Sequence, residues 1–436
     1  MDVAVPEDDG GFDGGYGGSG GNAARVPLIL AALLALGGAG FSAQSTYDFV
    51  QHLDRQVHSI HCSFIPGAGA ELGESGCRTV MLSPYSSFFR ESLWGGIPVA
   101  LWSLATFAFL AFLAGSLAMR KEVRKRETLF LIAAFGLPVL MSVIYGFLSV
   151  AKVEATCKVC IGIYASSLLG ICAAIFAHVK ASADPQDGSS PGGLWGGWFA
   201  TGVGYVVVLT LVYLAFMPSG AAAGAKSCGS LVQGEDPAQI MLPLGGKGTK
   251  AIEVLDPLCP SCRAFSNRLH TSGFEAKLEL KGVLFPLDST CNWMVGESLH
   301  PGACAVSEAL LCVGPLSKSD AAKQEADVAK LLAWAFKNQE ELRTQAKADE
   351  KAFRERLERE IPAVKGCLGG SLVKNKLVKS LRWGVANAIP VLTPQLFVGK
   401  TRVCDEDTDM GLEYSLGELL AGRYHVAEAT PKGGKR

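Results

Sequence analysis

This chain has little charge for its length. Only 19% of its 436 residues are Asp, Glu, Lys or Arg, and 41 acidic against 40 basic side chains leave a net charge of −1. So even a balance offers nothing that suggests a nucleic-acid partner, and none is expected. The first 25 residues, MDVAVPEDDG GFDGGYGGSG GNAAR, are acidic and glycine-rich and have almost nothing to bury, the composition of a disordered tail. Thirteen cysteines, about 3% of the chain, are too few for a disulfide-stapled miniprotein and more than a cytosolic enzyme usually carries. What is abundant is apolar surface. At 49% hydrophobic residues and a mean hydropathy of +0.26, the composition is that of a membrane protein diluted by a soluble part, and the length allows two or three domains.

Charge is missing above all from five runs: Val26–Ala43, Ile97–Met119, Thr128–Val153 apart from Lys152, Val159–Ala177 and Leu194–Met217. Each supplies roughly 20 residues, enough to cross about 30 Å of hydrocarbon, so five membrane helices are expected. A cleaved leader ending near Phe41-Ser42-Ala43 is the alternative for the first run; the long acidic stretch before it, with only Arg25 as a basic residue, argues against that. The cluster Arg120, Lys121, Arg124, Lys125 and Arg126 lies in the short loop between the second and third runs and marks that loop as cytoplasmic. Counting outward, the loop Asp48–Gly96, the turn Glu154–Lys158 and everything after the fifth run face the other side.

Three cysteine pairs fall on that outer side: Cys62 with Cys77, Cys157-Lys-Val-Cys160 and Cys259-Pro-Ser-Cys262. A Cys-x-x-Cys holds two sulfurs within bonding reach across one helical turn, and thiolates exchange disulfides with one another, so the series reads as a redox relay. Around the third pair, Ala251–Leu255 reads as a strand, Asp256-Pro257 breaks it, and Arg263–His270 reads as a helix opened by the cysteines. Cys259 at the helix start is the expected attacking sulfur and Cys262 the resolving one. Structural zinc also uses Cys-x-x-Cys. Here the remaining cysteines form no second such motif, and His270 and His300 form no His-x3-5-His set, so no metal is expected. Cys172, mid-span, is expected to be a small buried side chain. Cys228, Cys291, Cys304, Cys312, Cys367 and Cys404 can form three disulfides in any of 15 connectivities, of which a local Cys291–Cys304 pair is expected.

Two resemblances follow. The strand, Asp256, Cys-Pro-Ser-Cys and helix, with Ile389-Pro390-Val391-Leu392-Thr393-Pro394-Gln395-Leu396-Phe397-Val398 far downstream, resemble the thioredoxin-like fold of DsbA-type oxidoreductases. That resemblance implies a cis-proline opposite the cysteines. Thr393-Pro394 fits best because it leads straight into the strand Gln395–Val398; Pro390 is the rival. The charged segment Ser319–Leu357 would be the helical insertion of that fold, its charge a solvated face. The membrane part resembles the vitamin K epoxide reductase family in its bacterial form with a fused thioredoxin-like domain. It does so through Cys157-Lys-Val-Cys160 followed by Tyr164, and through Cys77 followed by Ser83, Pro84, Tyr85 and Trp94-Gly95-Gly96-Ile97-Pro98. Cys62 falls where the first loop cysteine of that family belongs. It stands farther from Cys77 than the family pattern, with fourteen residues between, including Pro66–Ala70. A loop that long reaches about 50 Å, so closing to a disulfide is sterically easy, and Cys62 is either the shuttle partner or merely structural.

The resemblance implies a four-helix membrane bundle over 26–180, a linker and fifth transmembrane helix over 181–218, and an extracytoplasmic α/β thioredoxin-like domain over 219–436, after the disordered tail 1–25. It implies a multi-pass protein of the inner (cytoplasmic) membrane with a cytoplasmic N-terminus. It implies a relay that takes electrons from reduced secreted or periplasmic proteins through Cys259 and Cys262, then Cys62 and Cys77, then Cys157 and Cys160, to the membrane quinone pool, ubiquinone or menaquinone. Ser83 and Tyr164 would lie around the quinone. The plain alternatives are a helix N-cap for Ser83 and an interfacial aromatic for Tyr164. Two other functions compete: a thiol transporter that brings reductant to an outer isomerase or reductase domain, and a non-catalytic receptor or metal-binding module whose cysteines are structural.

Overall fold

The computed structural model describes residues 23–53, 62–64, 76–153, 155–184, 192–217 and 227–423. Most of the acidic tail, the Pro66–Ala70 stretch and parts of the linkers flanking the fifth apolar run lie outside the described residues.

The apolar runs become helices. Helix α1 (Arg25–His52) is followed by the short α2 (Gly76–Leu82) and the two-residue strands β1 (Ser87–Phe88) and β2 (Ile97–Pro98). Then come α3 (Val99–Ala118), α4 (Lys125–Leu148) with a π-helical turn at Ser149–Val153, α5 (Lys158–Lys180) and α6 (Gly192–Ala215). Helices α1, α3, α4 with its π turn, α5 and α6 are each long and apolar enough to cross a membrane, which makes this a multi-pass membrane protein. The chain divides into two units: the residues up to Ala43 with Leu101–Phe147 and Val159–Leu211, and a second formed by Gln44–Ala100, Leu148–Lys158 and everything from Val212.

In the first unit, Leu28, Ala31 and Ala35 of α1 pack with Phe107, Leu110 and Leu113 of α3, Leu131 and Phe135 of α4, and Ala173, Ala174 and Ala177 of α5. Lipid tails give apolar helices no hydrophobic reason to associate, so close approach must do it. Small residues provide that approach: a Cβ on Gly38 would stand 2.6 Å from the Phe107 ring, and one on Gly162 would stand 2.8 Å from Phe41. Helix α6 stays at the margin of this core, with Tyr213 its one buried residue. It is held by ring contacts of Tyr205 with Phe109 and of Trp198 with Phe130, and by a Trp102 Nε1 to Thr210 Oγ1 bond of 3.1 Å. Cys172 corrects an expectation. It is exposed on the outside of the bundle rather than buried, because the inward face of α5 is taken by Gly170, Ala173 and Ala174.

The second unit holds a six-stranded sheet in the order β3-β8-β7-β5-β6-β4. Its strands are β3 (Ser227–Ser230), β4 (Leu242–Gly245), β5 (Thr249–Leu255), β6 (Leu278–Leu284), β7 (Gln395–Val398) and β8 (Thr401–Val403). Only β5 and β6 run parallel, and the helix between them, α7 (Pro260–Thr271), supplies the crossover a parallel pair needs. Residues Ala251–Leu255 are buried on both faces of the sheet, which is why that strand is an apolar run rather than an alternation.

Between β6 and β7 the chain makes five helices: α8 (Ala303–Val313), α9 (Ala321–Lys337), α10 (Gln339–Ala348), α11 (Glu350–Glu360) and α12 (Ser371–Ala386). After β8 comes α13 (Leu412–Leu420). The helical region is therefore wider than the charged segment Ser319–Leu357, because α8 is buried all round and carries no amphipathic signature. Nor is its charge only a solvated face. Arg354 of α11 donates to the buried Glu308 of α8 at 2.9 Å, and the Gly369 N–H donates to the same oxygen at 2.9 Å. Disulfides join Cys291 to Cys304, as expected, along with Cys312 to Cys367 and Cys228 to Cys404.

Candidate redox site

Cys259 is the N-cap of α7 and Pro260 takes the first helical position, where a missing N–H costs nothing. The free N–H groups of that first turn favour negative charge on the sulfur. Cys262, one turn on, is fully buried. The two are thiols with opposite tendencies. The hydrogen bond from Cys262 is the largest influence on Cys259 and, against burial, brings its thiol down to about 6, with bonding at Thr393 and the nearby His300 helping. Burial pushes Cys262 well up. Cys259 is therefore the more readily ionised thiol of the pair.

The surroundings are fixed by named bonds. The Thr393-Pro394 peptide is cis, and the Cys259 thiol points at the Thr393 carbonyl at 3.6 Å. Gln395 Nε2 donates to the carbonyls of Pro390 (3.0 Å) and Leu392 (2.7 Å) and so shapes the turn that carries Thr393. Gln339 of α10 donates to the Cys259 carbonyl at 2.9 Å, so the helical region helps to hold the cysteine turn. Asp256 accepts three bonds: Oδ1 from Leu258 N, and Oδ2 from Leu287 N and from His300 Nδ1 at 2.8 Å. Burial lowers His300, but its bond to Asp256 and that carboxylate's charge outweigh burial and leave it raised.

Glu253 was missed in the sequence. It sits in β5, fully buried, and burial, with the charges of Glu275 and Cys259 adding to it, lifts its carboxyl to about 8. A neutral carboxylic acid therefore lies within electrostatic reach of the cysteine pair. The signal was present: a lone acid inside Ala251-Ile252-Glu253-Val254-Leu255, a run otherwise buried and apolar.

The Cys62–Cys77 disulfide is formed, with a Cα separation of 5.9 Å. Cys77 is on α2, and α2 touches both other cysteine segments. A Cβ on Gly76 would collide with the Thr156 carbonyl, directly before Cys157. At the other end, the Leu82 carbonyl accepts a 3.0 Å bond from Arg268 of α7. Between α2 and α7 lies a cavity of about 550 Å³, lined by Ser83, Tyr85, Ser261, Thr393 and Pro394 among others. Ser83 is not an N-cap. It follows the C-terminus of α2 and its hydroxyl donates to the Val80 carbonyl at 2.7 Å.

Cys157 is buried just before α5, and Cys160 is half-buried in the first turn of that helix. Tyr164, one turn further, lies against the backbone of Gly146 in α4. Cys160 and Tyr164 thus share a helix face.

Residues 29–175 match the vitamin K epoxide reductase family. The match takes in α3, α4 and the loop from Asp48 to Gly96, most of α1 and α5, and the cysteines Cys62, Cys77, Cys157 and Cys160, and it ends before α6 and the six-stranded sheet. Vitamin K epoxide reductase family members are oxidoreductases, quinone-linked in general, so the match points to membrane redox and disulfide chemistry. No curated protein and no solved structure matches the chain.

Proposed function

We propose that the protein is a membrane thiol-disulfide oxidoreductase that forms disulfides in reduced secreted or periplasmic proteins and passes the electrons to the quinone pool. The observation that carries this reading is the position of α2: the helix that bears Cys77 lies against Thr156 at one end and Arg268 at the other. The helix that bears Cys77 thereby joins the segments that carry the two Cys-x-x-Cys motifs. The region from Ser227 on is read as thioredoxin-like, supported by the β5-α7-β6 crossover, the antiparallel β7 beside β5 and the cis Thr393-Pro394 bond.

In this scheme a substrate thiolate attacks the Cys259–Cys262 disulfide, and a second substrate thiol resolves the mixed disulfide, leaving Cys259 and Cys262 reduced. Those two reduce Cys62–Cys77 by the same exchange. Cys77 then attacks Cys157, and Cys160 is released as the last thiolate of the series. In this reading Glu253, held neutral near pH 7 and within electrostatic reach of Cys262, is the group that takes up or supplies the proton as that thiol ionises.

Cys160 and Tyr164 on one helix face suit a quinone, the phenol holding a ring oxygen by a hydrogen bond. Ser83 can do the same only by turning its hydroxyl away from Val80. A bound quinone supplies an acceptor for two electrons and two protons. The basic loop Arg120–Arg126 supports a reading with the N-terminus on the cytoplasmic side of the inner membrane and all three cysteine pairs on the periplasmic side.

The test is stoichiometric. Purified full-length protein is given a reduced two-cysteine peptide and either ubiquinone or menaquinone. One quinone should be reduced per peptide disulfide formed, and peptide oxidation that leaves both quinones untouched removes the reading.

A further inference from the structure

Arg268 is 3% exposed, in the last turn of α7, and the relay described above does not use it. A buried guanidinium is tolerable only when its N–H groups are all met. Two segments meet three of the N–H groups of this one. Nε donates to the carbonyl of Leu82, the last residue of α2. Nη1 donates to the Thr408 carbonyl at 2.5 Å and to that of Asp409, whose carboxylate lies 3.7 Å away. Terminal carbonyls of a helix carry partial negative charge and lack intrahelical donors, so the end of α2 is a natural seat for a cation.

The segment after α2 answers from the other side. Arg90 donates to the Ser83 carbonyl at 2.7 Å and stands 3.6 Å from the buried Glu413, and Trp94 Nε1 donates to Asp407 Oδ1 at 2.5 Å. The Trp94 ring is also buried against Gly411, so the tie is part apolar, yet a cavity of about 550 Å³ lies between the facing surfaces. Cys259 is 4% exposed, so a protein substrate reaches its sulfur only after the surroundings of that cysteine open.

From this geometry we infer that Arg268 is the latch of a two-position device. Latched, it holds α7 against α2 for exchange between the two cysteine pairs; released, it opens Cys259 to substrate. The inference rests on the relay reading. In the latched position the Cys259 thiolate attacks one sulfur of Cys62–Cys77 and releases the other as a thiolate. Cys262 then attacks the Cys259 sulfur and frees the bonded loop sulfur. Two electrons pass to the loop pair, and the two protons lost by Cys259 and Cys262 end on the loop thiols. Arg268 touches no reacting atom, so it is a positioning residue.

The experiment uses the full chain without quinone. A reduced two-cysteine peptide is added for a single turnover, and the redox state of each pair is read by rapid thiol alkylation and peptide mapping. Arg268→Ala should slow reduction of Cys62–Cys77 on the order of a hundredfold, the cost of a small misplacement of reacting groups, while alkylation of Cys259 becomes faster. Arg268→Lys, which keeps the charge but loses the forked donors, should fall between. Trp94→Phe leaves α7 untouched and should shift both readings in the same directions, which separates a latch from a damaged helix. Wild-type transfer in both Arg268→Lys and Trp94→Phe, or Cys259 alkylation that slows in Arg268→Ala, overturns the latch. A wild-type protein in which Cys62–Cys77 never becomes reduced defeats the relay itself.

Discussion

Cys77→Ala is expected to abolish quinone reduction, by on the order of a thousandfold or more, the scale on which loss of a covalent participant acts. The substrate-facing half should survive it. Cys259 and Cys262 are built by α7, the Thr393-Pro394 turn and the Asp256–His300 pair, none of which touches Cys77 through a bond described above. The variant should therefore oxidise one equivalent of reduced peptide and stop, with Cys259 and Cys262 left reduced. Cys160→Ala should stop the series one exchange later, with the loop pair reduced as well. The order in which pairs accumulate as thiols, read by alkylation and mapping, is what checks the prediction. If Cys77→Ala still reduces quinone at an appreciable rate, electrons bypass α2, and the position of that helix between the two motifs has no functional weight.

Much of this was legible because the signals were local. Hydrocarbon imposes a run of about 20 apolar residues on a helix that crosses it, so five spans could be counted from the sequence alone, with α1 differing only in running on to His52. Strand, break and helix around Cys259 were likewise written in neighbouring residues, and Thr393-Pro394 could be preferred over Pro390 because it abuts β7. What escaped depends on distant partners. Arg268 reads in sequence as an ordinary basic residue near a helix end; its value lies in Leu82, Thr408 and Asp409, far away in the chain. Glu308 and Arg354 look like two more members of a charged helical region until α8 proves to be buried. Cys172 failed for a different reason. An apolar helix in lipid is apolar on both faces, so its sequence does not reveal which side meets the bundle.

Cys262→Ala carries the second large effect, and it acts at two points. Without Cys262 there is no Cys259–Cys262 disulfide for a reduced substrate to attack, and when the Cys259 thiolate attacks Cys62–Cys77 nothing within the pair releases the loop sulfur it bonds. A disulfide between Cys259 and a loop cysteine should accumulate, visible by non-reducing peptide mapping and lost on reduction, while steady-state disulfide formation falls on the order of a thousandfold or more. The same substitution removes the S–H donor that is the foremost cause of the low Cys259 value. In the wild type the Cys259 thiol, lowered from 9.0 to about 6, should be half ionised near pH 6. Its alkylation rate should rise through that pH and level off above it. A lower thiol pKa also weakens the nucleophile, by about twentyfold over three units at a Brønsted slope near 0.45, so the advantage over an ordinary thiol should be about fourfold at pH 7, about twentyfold at pH 6 and about fortyfold at pH 5. The sign for stability follows from the depressed value. The thiolate stabilises the reduced fold fully above the ordinary thiol value near 9, and that contribution declines as pH falls and is gone below about 6. In Cys262→Ala the alkylation midpoint should move upward from pH 6, because the bond that held the charge is missing while burial and the Asp256 carboxylate still oppose it. A midpoint that stays near 6 assigns the low value to the helix N-terminus and His300 instead, and the Cys262 hydrogen bond loses its place as the main cause.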